Sequence, residues 1–94
     1  MSVLVTIEVY PINWERFREA LKWIYNIPEA AWISSKVYRA EDDPTRILII
    51  DEWESHQALH EFSSKWGTEF SQRAGLGQNT VWNQHVWIRE KIHR

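Results

Sequence analysis

Ninety-four residues suffice for one domain and are too few for two, and a chain this short hides only a modest share of its surface without a partner. Seven Trp, three Tyr and three Phe are more rings than one small core holds, so some are expected at an interface or in a cleft for a flat ligand. The net charge is −2 with acids and bases interspersed; no Lys/Arg run marks a nucleic-acid footprint, and the absence of Cys excludes disulfides, thiolate zinc sites and thiol catalysis. The end Arg89, Glu90, Lys91, His93, Arg94 is mildly basic, as a solvated terminus commonly is.

Val3, Val5, Ile7 and Val9 alternate with Leu4, Thr6, Glu8 and Tyr10, a period of two that predicts a strand with one apolar and one mixed face. The same alternation lacks the basic start and long apolar stretch of a signal peptide. Apolar runs such as Ile47–Ile50 are far too short to span a bilayer, so the protein is expected in the cytoplasm with no membrane contact. Asn13 is a natural N-cap, followed by a helical stripe of Trp14, Phe17, Ala20, Leu21, Ile24 and Tyr25 that Pro28 ends. Trp23 falls off that stripe and is expected at an interface or exposed.

Trp32 to Arg39 reads as a second strand, and Glu41-Asp42-Asp43-Pro44 is turn chemistry. Arg46 to Trp53 is β-branched and apolar on both faces, hence a central third strand. Ser55 caps a second helix whose apolar face is Ala58, Leu59, Phe62 and Trp66; Gly67, Gly75 and Gly77 are expected to loosen the chain from Thr68 to Gln78. Thr80 to Glu90 alternates as a long fourth strand, with Val81, Asn83, His85 and Trp87 on one face and Trp82, Gln84, Val86 and Ile88 on the other.

Strand-helix-strand thus occurs twice, giving a single α+β domain over residues 1–94 of ferredoxin-like βαββαβ order, both helices on one face of a four-stranded antiparallel sheet. The other sheet face carries large apolar residues and no helix, so it is expected to meet a copy of itself across a two-fold axis.

The run Tyr38-Arg39-Ala40-Glu41-Asp42-Asp43-Pro44, then Ile47 to Ile50, then Glu52-Trp53-Glu54-Ser55 with Ala58-Leu59, resembles the antibiotic-biosynthesis-monooxygenase-like domain, a family of dimeric α+β barrels. The resemblance implies a homodimer with facing sheets and a ligand cleft in each subunit between sheet and helices. It also implies cofactor-independent oxygenation of small aromatic, quinol-type molecules, without metal or flavin. Ala30-Ala31 stands where the family usually has Pro-Gly, and Phe62 stands where many members have His. Haem degradation is not carried over, because Ile7, Phe62 and Gln72 replace the Asn, Trp and His on which that branch relies.

His56 and His60 have metal-sharing helical spacing but lie off the apolar face and lack an obvious third ligand, so no metal site is expected. His85, with Asn83 beside it, is the expected general base for a phenol or activated C–H; the alternative places it at the dimer interface. Trp66, Trp82, Trp87, Phe62 and Tyr38, with Trp32, are the expected walls for a flat ligand, against ordinary packing. Glu8 needs a partner from Arg46, Lys36 or Arg89, and Gly75-Leu76-Gly77 is too weak a signal for a phosphate loop. Two alternatives stand beside the oxygenase: a non-catalytic small-ligand-binding or accessory dimer, and a haem-handling protein using His85.

Overall fold

A computed structural model describes residues 1–28 and 32–92; Ala30-Ala31 and the terminal His93 and Arg94 lie outside the described residues. The elements are β1 (Val3–Val9), α1 (Trp14–Tyr25), β2 (Trp32–Arg39), β3 (Ile47–Trp53), α2 (His56–Ala74) and β4 (Trp82–Ile88). All strand pairs are antiparallel in the order β2-β3-β1-β4, the ferredoxin-like arrangement. The two interior strands, β1 and β3, share the burial pattern of an amphipathic strand: Val3, Val5, Ile7 and Val9 pair with Trp53, Asp51, Ile49 and Ile47, all buried beneath the helices. Fully hidden Phe17 from α1, with Leu59, Phe62, Phe70 and Ala74 from α2, closes that core.

Asn13 accepts from the Arg16 amide and Ser55 from the Ala58 amide, so both helix starts are capped as their side chains predict. The second helix runs further than expected. Gly67 sits inside it, because Phe70 and Ala74 prolong the buried row begun by Leu59 and Phe62, and that burial outweighs the weak helix propensity of one glycine. The turn to left-handed backbone comes at Gly75, whose φ is 69°. β4 is shorter than the Thr80–Glu90 alternation, since its partner β1 offers only Val3–Val9 to pair with. Trp23 is half-buried, standing edge-on to Trp66 at 6.0 Å with the Arg73 guanidinium 4.2 Å above its ring.

The sheet face away from the helices carries the other set of each strand. Leu4, Thr6 and Glu8 of β1 lie between Glu52, Ile50 and Leu48 of β3 and Trp87, His85 and Asn83 of β4, respectively. Lys36 and Tyr38 extend it on β2. Glu8 finds its partner in Arg46 at 2.8 Å. Among the described residues no helix is long and apolar enough to cross a membrane.

Candidate functional site

Between the sheet and the two helices lies a cavity of about 530 Å³, within the range of small-molecule sites. Val5, Ile7, Ile49, Asp51 and Trp53 form its floor; Leu21, Ile24 and Tyr25 of α1 and Leu59, Phe62 and Phe70 of α2 form its roof. Leu76, Gly77 and Thr80 of the α2–β4 loop, with Trp82 and Gln84, line the β4 side. It is a cavity because of α2: Ser63, Gly67 and Ser71 recur every four residues, placing three small side chains on the helix face over the sheet. A Cβ added at Gly67 would meet nothing within 4 Å.

One end is an aromatic box. Trp32 stands 5.1 Å from Tyr25, 5.3 Å from Trp53 and 5.2 Å from Phe62, and Trp53 and Phe62 are 5.2 Å apart. These tilted and edge-on contacts suit the ring quadrupoles. The indole N–H groups of Trp53 and Trp66 are buried without an acceptor among the described residues.

Set among these rings is a carboxylate. Asp51 is 6% exposed, and its Oδ1 accepts from the Ser35 hydroxyl at 2.5 Å. Ser35 Oγ is in turn 2.7 Å from the Tyr25 hydroxyl. Burial pushes the Asp51 carboxyl above its ordinary value, against the opposing effect of the Ser35 bond. Burial likewise pushes the Tyr25 hydroxyl up to about 12, so it remains a proton donor throughout the neutral range. A carboxyl raised by burial beside a half-open, largely apolar cavity is an arrangement suited to acid–base chemistry.

The expected site residues divide between the two sheet faces. Phe62, Trp82 and Trp32 line the cavity. Trp66 packs on Trp23 outside the lining. His85, Asn83 and Trp87 stand exposed on the face away from the helices, because their register partners Thr6, Glu8 and Leu4 do; the Trp87 indole donates to Thr6 Oγ1 at 2.8 Å. Tyr38 shares that face through its pairing with Leu48. The geometry therefore does not bring His85 or Asn83 to the cavity. His56 and His60 are exposed on α2, and no group of His, Cys, Asp or Glu among the described residues is placed to hold a metal ion. Sequence reasoning passed over Asp51, Ser35 and Tyr25 as polar groups of a site. A signal existed for the first: Ile47, Ile49, Asp51, Trp53 is an inward-facing row broken by one acid.

The fold recurs in solved structures. A conserved protein from Methanosarcina mazei is 13% identical, with 96% of this chain and 94% of that one covered and a TM-score of 0.80. SnoaB, a cofactor-independent oxygenase from Streptomyces nogalater, is 10% identical, with 97% and 95% covered and a TM-score of 0.74. An antibiotic biosynthesis monooxygenase is 14% identical, with 95% and 99% covered and a TM-score of 0.74. At such identities the likeness is one of fold. No curated protein matches the chain. The model of the family described as antibiotic biosynthesis monooxygenase matches residues 1–66, a segment holding Tyr25, Trp32, Ser35, Asp51, Trp53 and Phe62. With well over half its length matched, the chain belongs to the antibiotic biosynthesis monooxygenase family.

Proposed function

We propose that this protein is a cofactor-independent monooxygenase of a small aromatic, quinol-type molecule bound between sheet and helices. The observation that carries the reading is one ionisable carboxyl, Asp51, on the floor of an aromatic-lined 530 Å³ cavity. Asp51 takes a proton from the hydroxyl or activated C–H of the bound ring system, leaving an electron-rich carbanion. Dioxygen adds at that carbon, Asp51 returns its proton to the peroxide, and loss of the remaining C–H proton breaks the O–O bond, so that water leaves and one oxygen stays as a ketone. Trp32, Trp53, Phe62 and Trp82 hold the ring and keep bulk water away. In this reading Asp51 takes the role expected of His85, which stands on the opposite face.

The same reading includes a homodimer through the open sheet face, where exposed Leu4, Leu48, Tyr38 and Trp87 form an apolar surface that a second copy buries. The position of His85 outside the cavity also favours a second reading, a dimer that binds the same ligands without chemistry.

Oxygen uptake by the purified protein, across a panel of anthrones, quinols and catechols, separates the two. Uptake that falls about 10²-fold or more in Asp51→Asn supports the oxygenase with Asp51 as base. Binding of these compounds without uptake supports the second reading. Uptake undiminished in Asp51→Asn and lost in His85→Ala returns the base to β4.

A further inference from the structure

Tyr25, Ser35 and Asp51 form a chain with a fixed sense. A serine hydroxyl has one proton, so when Asp51 is ionised Ser35 donates to Asp51 Oδ1 and Tyr25 donates to Ser35. Both hydroxyl protons are then committed, and the charged acceptor left over is Asp51 Oδ2, for which there is no donor among the described residues. Asp51 and Tyr25 both line the cavity, whose lining among the described residues holds no Lys, Arg or His. An anionic ligand there would sit beside a carboxyl with no counter-charge, a costly burial. A ligand hydroxyl, by contrast, supplies the donor that Oδ2 lacks.

We propose that the Tyr25–Ser35–Asp51 chain is the recognition point for an uncharged aromatic ligand that presents a phenolic hydroxyl, and that the same cavity rejects aromatic carboxylates. The proposal rests on the reading of this cavity as the ligand site and adds the ligand's charge and its anchoring group. Ser35 acts through Asp51 as a positioning residue, holding one carboxylate oxygen so that the other faces the ligand. Burial already raises the Asp51 carboxyl, and an anionic ligand beside it would raise it further, so the cavity disfavours a carboxylate ligand.

The test is calorimetric titration of the intact protein at neutral pH with naphthol and naphthoate, matched in ring position. Naphthol is expected to bind about ten-fold or more tightly than naphthoate, the worth of a hydrogen bond to a charged group. Asp51→Asn and Ser35→Ala, each checked for native circular dichroism, bring that ratio toward unity, and Ser35→Thr restores it. The proposal is overturned if naphthoate binds as tightly as naphthol, if neither binds, or if Asp51→Asn leaves the ratio unchanged. Naphthol selectivity in a protein that consumes no oxygen with any quinol would leave this recognition standing while the oxygenase reading fails.

Discussion

At Gly75 the backbone takes φ 69°, and a Cβ there would come within 2.9 Å of the Arg16 guanidinium. That guanidinium donates to the Gln72 carbonyl at 2.6 Å and the Arg73 carbonyl at 2.9 Å, so a cation from α1 closes the C-terminus of α2. Gly75→Ala therefore meets two penalties, a left-handed backbone and a displaced Arg16. It is expected to cost about 1–2 kcal/mol from the backbone alone, read as a lower urea midpoint at unchanged slope. Asp51 carries a pH signature. Its carboxyl is raised above 3.8 in the folded state, so between the two values the native protein holds more protons than the unfolded chain. The stability associated with neutral Asp51 is present below the unfolded value and is lost as pH rises through the folded one. Asp51→Asn should accordingly be more stable than the native protein at pH 7, with the difference shrinking toward acid; equal stability at both ends would remove the physical case for a strained, functional carboxyl.

The second helix does two jobs with one broad face. Leu59, Phe62, Phe70 and Ala74 bury themselves in the core, while Ser63, Gly67 and Ser71 leave the space that becomes the cavity. A helical glycine costs about 1 kcal/mol relative to alanine, and Gly67 has room for a methyl group. Gly67→Ala is expected to raise stability by up to about 1 kcal/mol, whereas Gly67→Leu should fill the cavity and weaken naphthol binding while thermal unfolding stays cooperative. If Gly67→Leu binds the ligand as the native protein does, the cavity is not the site. β4 completes the β side of that space with Trp82, whose indole donates to Gln84 Oε1 at 3.1 Å, and turns its alternate residues to the opposite face.

Across the whole molecule the helices cover one side of the sheet and leave the other bare. Leu4, Leu48, Tyr38 and Trp87 are each exposed by 38–53% on that side, flanked by the Glu8–Arg46 pair. Exposed apolar area of this kind is stabilised by a second copy. Leu48→Lys places a charge near its middle and should convert a dimer to a monomer in size-exclusion chromatography with light scattering. A native protein that runs as a monomer at micromolar concentration would remove the proposed interface. Because the cavity lies on the other side of the sheet, Leu48→Lys should lower stability more than it lowers ligand affinity.

Element order, both N-caps and the inward row of β1 were legible in the sequence, because they depend on local periodicity and on side chains bonding amides three residues away. By contrast β3, apolar on both faces as read, did not declare which row turns inward. The alternation of β4 was legible too, including which residues accompany His85. The sequence left open which set faces the helices, since a period of two has no sign until the strand is paired. Pairing β4 with β1 supplied the sign, sending His85, Asn83 and Trp87 outward and Trp82 inward. The extent of α2 was equally a tertiary matter: Gly67 looked like a break until Phe70 and Ala74 had a core to enter. Tyr25, Ser35 and Asp51 come from three elements, the first two 10 positions apart in sequence and the last two 16. Sequence by itself determined the layers of this protein; contact across 10 and 16 residues, which only folding creates, decided where the cavity carboxylate and its partners meet.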